Sequence, residues 1–150
     1  MIFFLFFPFL FQIPDGAFFV HKGTNPEVDS YSAFFDNLKS VNSSTGLNNH
    51  LLKDSSASTV FICGLATDYC VGSTALDALD LGLNTFVVLD ASRGIGAESS
   101  EKMLENIVAK GGVILNTRNV RAMMPTSSGS AGLAGSGVIL VTMLLVLTVK

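Results

Sequence analysis

Apolar and polar positions follow two different spacings through the middle of the chain. Short apolar runs bounded by turn residues are typical of buried strands, and an apolar stripe recurring every three or four residues is typical of a helix. The runs predict strands at 17–20, 60–65, 85–89 and 113–115, and the stripes predict helices at 47–52, 69–82 and 99–110. Strands that alternate with helices predict an α/β fold, a parallel sheet flanked by helices.

Chemically active side chains follow three of these predicted strands. Lys22 follows the first run, the segment 66–70 follows the second, and the segment 90–93 follows the third. Sites in parallel sheets lie beyond the carboxyl ends of the strands. We therefore expect these three groups to gather at one edge of the sheet.

Cys70 stands where the second helix begins, directly after the strand at 60–65. A helix N-terminus carries a partial positive charge and N–H groups without helical partners, so a thiol placed there ionises more readily and becomes a nucleophile. The same N–H groups can hold the oxyanion that forms when the thiolate attacks a carbonyl. Cys70 is therefore the candidate nucleophile.

Four residues near these segments receive structural interpretations. Asp68 is expected to cap the helix that carries Cys70, which is the usual role of an Asp just before a helix. Asp90 and Arg93 are expected to support the end of a strand rather than take part in catalysis. Cys63, inside an apolar run, is expected to be a buried small hydrophobic residue, and two cysteines form no disulfide framework.

Three blocks of this sequence resemble one enzyme family, the nicotinamidases and pyrazinamidases among the isochorismatase-like cysteine hydrolases. Gly64-Leu65-Ala66-Thr67-Asp68-Tyr69-Cys70, with the residues that follow, resembles their nucleophile segment. Lys22-Gly23-Thr24 and the block 30–34 resemble their catalytic-lysine segment, and 87–94 resembles the next strand and its loop. The blocks keep the family's order over residues 14–124, and 23–37 look most like animal nicotinamidases.

The resemblance implies an activity and a role for each matching residue. The activity is hydrolysis of nicotinamide to nicotinate and ammonia, in pyridine nucleotide (NAD) salvage, through a thioester on Cys70. Lys22 would be the cationic partner of the thiol, and the backbone N–H groups of Ala66 and Cys70 would form the oxyanion hole after a cis Leu65–Ala66 bond. Tyr31 would form a wall of the substrate pocket against the flat ring, although it equally fits a half-buried core position.

The chain departs from the family before residue 14. The family's proton-accepting aspartate and its metal ligands, an Asp-x-His pair with further histidines for a divalent ion such as zinc, have no match in this sequence. We therefore expect an isochorismatase-like hydrolase fold truncated at its N-terminus, with no metal site or cofactor in this chain. Three hypotheses stay open. The first is an amidohydrolase acting on nicotinamide, and the second is a truncated or membrane-tethered relic that binds a ring or a partner subunit without turnover. The third is a related hydrolase with another substrate, such as isochorismate or a carbamoyl compound. We expect the activity of the chain alone to be weak or nil.

Composition and the two ends add little to the function. The formal net charge is −3 and no basic stripe is present, so a nucleic-acid partner is not expected. Residues 1–13 form an apolar N-terminal segment that fits an aberrant start, a signal or anchor, or an added strand. A Gly/Ser-rich linker at 125–137 leads to an apolar tail at 138–150 that fits either a membrane or GPI anchor or a segment with no role. The family implies a cytoplasmic location, and a homo-oligomer stays an open alternative.

Overall fold

The computed structural model describes residues 18–38, 44–51 and 57–123, together with the backbone of 138–142. Within these ranges the strands are β1 (Thr59–Leu65), β2 (Asn84–Arg93), β3 (Val113–Leu115) and β4 (Val138–Thr142). They form one parallel four-stranded sheet in the order β3–β2–β1–β4. The α/β fold with a parallel sheet is confirmed.

The described helices are α1 (Leu47–Asn49), α2 (Gly72–Asp80), α3 (Ala97–Ala109) and α4 (Thr117–Met123). A π-helical turn, Thr67–Val71, joins β1 to α2. We call these five residues the nucleophile turn, because they contain Cys70. The helices predicted at 69–82 and 99–110 are therefore confirmed as the nucleophile turn with α2 and as α3. The predicted helix at 47–52 is represented by the short α1, and α4 was not predicted.

Helices pack on both faces of the sheet because the central strands are apolar on both sides. On one face of the sheet, Ile62 of β1 is fully buried. It belongs to the same cluster as Val71 of the nucleophile turn, Ala75 of α2 and Ile107 of α3. Its neighbour Phe61 points to the opposite face and packs in a smaller cluster, whose other buried members are Val88, Leu115 and Val120. Strand residues alternate between the two faces, so one continuous apolar run supplies both halves of the core.

Glycines end α2 and α3. Gly82 and Gly111 have φ angles of 77° and 96°, a left-handed conformation that glycine adopts without a steric cost. The N–H of Leu83 then bonds the carbonyl of Ala78 at 3.0 Å, which is the long hydrogen bond of a Schellman ending. These endings return the chain to the sheet for β2 and β3.

The strand predicted at 17–20 is wrong for the residues described. Residues 18–24 belong to no strand, and Phe18 and Phe19 are 50% and 63% exposed. An apolar run becomes a strand only where a neighbouring strand can pair with it. Here Phe18 instead stacks on His50, with ring centroids 3.9 Å apart. Lys22 therefore follows an irregular segment rather than a strand.

Two further differences concern β2 and the tail. β2 extends to Arg93, so the segment 90–93 lies inside the strand and not in the loop after it. The first residues of the tail form β4, which pairs in register with β1 from Thr59↔Val138 to Cys63↔Thr142. No helix in the described part of the chain is long and apolar enough to cross a membrane. The N-terminal segment, the linker and residues 143–150 lie outside the described residues.

Candidate active site

The end of β1 bends sharply before the nucleophile turn. Gly64 has a φ angle of 126°, and the pairing of β1 with β2 shifts register between Ile62 and Gly64. The Gly64 N–H donates to Ser92 Oγ at 3.3 Å, and that hydroxyl donates in turn to the Val88 carbonyl at 2.8 Å. A side chain would be strained at this φ, so the glycine permits the bend that aims the next residues over the sheet edge.

Cys70 lies within the nucleophile turn and is 7% exposed. The peptide bond between Leu65 and Ala66 is cis, as the resemblance implied. The Ala66 carbonyl accepts hydrogen bonds from the N–H groups of Tyr69 and Val71 at 3.1 and 3.0 Å, so the turn closes around it. Single π-type turns of this kind occur frequently at functional sites. The sequence correctly placed the thiol at the start of the helix.

Lys22 reaches the thiol from a distant part of the chain. Its Nζ lies 3.4 Å from Cys70 Sγ. The same ammonium donates to the carbonyl oxygens of Ser30 and Tyr31 at 2.6 and 2.9 Å. An ammonium has three N–H donors, and these three acceptors direct all of them. Lys22 and Cys70 thus come together as predicted, although the segment that carries Lys22 is irregular.

Two tyrosines form an aromatic wall near the thiol. The rings of Tyr31 and Tyr69 meet edge to face with centroids 5.4 Å apart. The Tyr31 hydroxyl donates to Asp29 Oδ2 at 3.4 Å, and the charge of that carboxylate, with a contribution from burial, raises the pKa of Tyr31. Tyr31 therefore stays neutral at physiological pH. Sequence reasoning missed Tyr69, although its place directly before Cys70 was a usable signal.

Asp68 has a different partner from the one predicted. The nucleophile turn has no side-chain cap, and the Asp68 carboxylate points to the start of α3. It accepts hydrogen bonds from the N–H groups of Ile95 and Gly96 and from Ser99 Oγ, at 3.0, 2.9 and 2.6 Å. Burial acts to raise the pKa of Asp68, but these hydrogen bonds outweigh it and lower the pKa to about 2.

Asp90 and Arg93 make contacts of a structural kind. The Asp90 carboxylate accepts hydrogen bonds from the N–H and the hydroxyl of Thr117, at 2.8 and 2.7 Å, and so caps α4. These bonds lower the pKa of Asp90 below its usual value. Arg93 donates to the carbonyl of Ser92 at 2.7 Å. Both contacts fit the structural interpretation of these residues.

Cys63 is less buried than predicted, and the described residues contain no group that could bind a metal ion. Cys63 is only partly buried, and neither cysteine forms a disulfide. Among the residues that the structure describes, no group of three or more His, Cys, Asp or Glu side chains could hold a metal ion. The described residues therefore do not fit the divalent metal that the family resemblance implies.

Comparison with known families decides the affiliation. The isochorismatase domain matches residues 21–119, which is more than half of the chain. The chain belongs to the isochorismatase family. It is 45% identical over 94 residues to the nicotinamidase of Escherichia coli, covering 63% of this chain and 42% of that protein. It is 37% identical over 110 residues to the nicotinamidase of Acinetobacter baylyi, covering 73% of this chain and 50% of that protein.

Solved structures agree with this affiliation. A nicotinamidase/pyrazinamidase of Acinetobacter baumanii superposes with a TM-score of 0.66 at 35% identity, covering 73% of this chain and 52% of that one. The pyrazinamidase of Pyrococcus horikoshii in complex with zinc has a TM-score of 0.61 at 34% identity, covering 72% of this chain and 55% of that one. The yeast nicotinamidase bound to the inhibitor nicotinaldehyde has a TM-score of 0.59 at 31% identity, covering 65% of this chain and 45% of that one. The chain thus spans about half the length of the relatives it matches.

Proposed function

We propose that this chain is a nicotinamidase-like amidohydrolase, which converts nicotinamide and water to nicotinate and ammonia in NAD salvage. The observation that carries the proposal is the 3.4 Å contact between Lys22 Nζ and Cys70 Sγ. In this contact the Lys22 ammonium lies beside a thiol at the start of a helix. The chain belongs to the isochorismatase family, and the relatives it matches are nicotinamidases. A cytoplasmic location and a hydrolase domain at 14–124 belong to the same proposal.

The geometry supports a two-step reaction. The Cys70 sulfur attacks the amide carbon, an S–C bond forms, and the carbonyl electron pair moves to oxygen, where the Ala66 and Cys70 N–H groups would bind the negative charge. The C–N bond then breaks and nitrogen leaves as ammonia, carrying the thiol proton. Water hydrolyses the resulting thioester to nicotinate and regenerates the thiol. The ammonium of Lys22 favours the thiolate before attack and the negative charge during it.

Tyr31 supports nicotinamide as the substrate. A pyridine ring is flat and apolar on both faces, and aromatic side chains pack well against such rings. The edge-to-face pair of Tyr31 and Tyr69 offers one such surface beside the reacting thiol. We assign Tyr31 to the substrate pocket and add Tyr69, which is 41% exposed, to the same wall.

A second candidate function is binding without turnover. Among the described residues, Cys70 Sγ has a hydrogen-bond contact with Lys22 Nζ and none with a carboxylate. An amide hydrolase needs a group that receives the thiol proton and later activates water. A chain that spans about half the length of its relatives, with this thiol environment, could bind a ring and form a reversible adduct while hydrolysing nothing.

One experiment separates the two functions. The full chain and its Cys70→Ala variant are incubated with nicotinamide, and ammonia and nicotinate are measured together. Nicotinaldehyde binding is measured in parallel, because a thiol adds to an aldehyde reversibly without needing a leaving group. Turnover that disappears in Cys70→Ala establishes the amidohydrolase. Adduct formation without turnover establishes the second candidate, and folded protein that shows neither overturns both.

A further inference from the structure

Asp68 joins the nucleophile turn to the start of α3. The N-cap of α3 is Gly96, which has no side chain to offer and makes no side-chain cap bond. The carboxylate of Asp68 binds at this point from outside, and its three donors are the N–H groups of Ile95 and Gly96 and the hydroxyl of Ser99 in the first turn. The carboxylate thus ties the loop before α3, its N-cap residue and its first turn to the nucleophile turn.

The loop that receives Asp68 is shaped by two glycines. A Cβ atom at Gly94 would overlap Ser100 Oγ and lie 3.3 Å from Asp68 Oδ1. A Cβ at Gly96 would lie 2.5 Å from Ser99 Oγ and 3.8 Å from Asp68 Oδ2. Side chains at these positions would therefore displace the hydroxyls of Ser99 and Ser100, and the Ser99 hydroxyl is one of the donors to Asp68. The absence of side chains lets the backbone approach Asp68 closely.

A second contact holds the other end of the same segment. A Cβ atom at Gly72 would overlap the side chain of Met103, so α3 packs directly onto the backbone there. Asp68 and Gly72 stand two residues before and two residues after Cys70. The thiol is therefore carried between two anchor points on α3, one polar and one apolar.

The charge of Asp68 is compensated where it lies. A carboxylate two residues from Cys70 would by itself oppose a thiolate through Coulomb repulsion. The three hydrogen bonds and the partial positive charge at the start of the 13-residue α3 attract the carboxylate instead. Asp68 can then anchor the turn while its charge is balanced by α3.

We propose that Asp68 is a positioning residue, which holds the nucleophile turn so that Cys70 Sγ stays within reach of Lys22 Nζ. It touches neither substrate nor reacting atoms and acts through the backbone of the turn. The inference rests on the proposed role of Cys70 as the nucleophile. It does not depend on nicotinamide being the substrate.

The test is a double-mutant cycle on the alkylation of Cys70 by iodoacetamide. The full chain carries Cys63→Ser, so that Cys70 is the cysteine that reacts. The rate is measured with Lys22 and with Lys22→Met in four backgrounds: unchanged Asp68, Asp68→Asn, Ser99→Ala and Asp90→Asn. All rates are taken at a temperature at which circular dichroism shows each variant folded. Asp90→Asn is the matched control, because it damages a helix cap that does not involve the nucleophile turn.

The cycle has a defined expectation. With Asp68 present, Lys22→Met slows alkylation by about tenfold, because the thiolate loses its cation. In Asp68→Asn the same change slows it by less than about twofold, since the two side chains are no longer held together. Ser99→Ala removes one of the three hydrogen bonds without changing the charge and gives an intermediate factor. Asp90→Asn leaves the factor at its original size.

The inference is overturned if Lys22→Met slows alkylation of Cys70 by the same factor with Asp68 unchanged and in Asp68→Asn, whatever the size of that factor. If Asp68→Asn does not fold, Ser99→Ala decides, and an unchanged factor in that variant overturns it as well. A purely structural role would lower the unfolding temperature and leave the coupling between Lys22 and Cys70 intact. Alkylation requires only the thiol. The coupling between Lys22 and Asp68 can therefore be measured even if the chain does not hydrolyse nicotinamide, and the two proposals can fail independently.

Discussion

The two halves of the candidate site are built in different ways. Cys70 stands at a junction between a buried strand and a helix, with anchors on α3 at both sides. Lys22 stands in an irregular segment, and its ammonium is directed by the backbone carbonyls of Ser30 and Tyr31. The first half belongs to the strand and helices of the core, whereas the second is an irregular segment that Val20 and Phe34 pack against the same core and that these polar contacts direct to the thiol. We therefore expect damage to the core to unfold the protein, and damage to the segment to separate the two side chains.

The largest effect is expected in the core beneath the nucleophile turn. Ile62 of β1 is fully buried in the cluster that includes residues of α2 and α3, so Ile62→Ala removes apolar contacts and leaves a cavity that costs about 2–5 kcal/mol of unfolding free energy. Ile95, which is 81% exposed, is the matched control, and Ile95→Ala should change stability by less than about 0.5 kcal/mol. Urea unfolding measures both. Similar losses in the two variants would mean that β1 does not carry the core.

An intermediate effect is expected from the link between the nucleophile turn and α3. The pKa of Asp68 is lowered to about 2 in the folded chain, below the usual 3.8. A lowered folded pKa stabilises the protein above the unfolded pKa, and this stability is lost as the pH falls from about 4 to about 2. The contribution is about 2 kcal/mol, because each pKa unit corresponds to about 1.4 kcal/mol.

The measurement is the free energy of unfolding between pH 5 and pH 2 for the full chain and for Asp68→Asn. The part of the acid-induced loss that belongs to Asp68 should be missing in the variant. Parallel pH curves for the two proteins would show that Asp68 gains nothing from its contacts with α3.

The smallest effect on stability is expected in the segment that carries Lys22. Asn37 Oδ1 accepts the N–H of Tyr31 at 3.2 Å and so helps to place the carbonyls that direct the ammonium. Asn37→Ala should lower the unfolding free energy by less than about 1 kcal/mol, the usual worth of one exposed hydrogen bond. Alkylation of Cys70 in the Cys63→Ser background should nevertheless slow by about twofold or more, because Lys22 moves away.

Asn25 provides the control in the same segment. Its side chain accepts the N–H of Glu27 at 3.0 Å in an exposed turn, a contact that involves none of the three partners of the ammonium. Asn25→Ala should have a comparable effect on stability and leave the alkylation rate unchanged. Equal rates in the Asn37 and Asn25 variants would show that the segment holds Lys22 without the Asn37 contact.

Sequence patterns predicted the parts of this fold that depend on neighbouring residues. β1, β3 and α3 were recognised from apolar spacing. The thiol in the first helical turn was visible for the same reason. The cis bond at Leu65–Ala66 was implied by the family resemblance and by nothing in the local pattern.

The contacts that complete the site join residues far apart in the chain. Lys22 and Cys70 are separated by 48 positions, and Asp68 and Gly96 by 28. The apolar residues around Phe18 looked like a strand, but whether a run pairs depends on which edge is available, and the tail supplied β4 at the edge of β1 instead. A local pattern carries no information about such partners.

The sequence by itself thus determined the α/β class, the strand–turn–helix that presents Cys70 and the family resemblance, because periodicity and turn chemistry act over a few residues. Only the tertiary structure decided that Asp68 binds the start of α3 rather than capping its own helix, and that an irregular segment brings Lys22 to the thiol. Those outcomes depend on which donors and acceptors packing brings within 3–4 Å, and packing is a property of the whole chain.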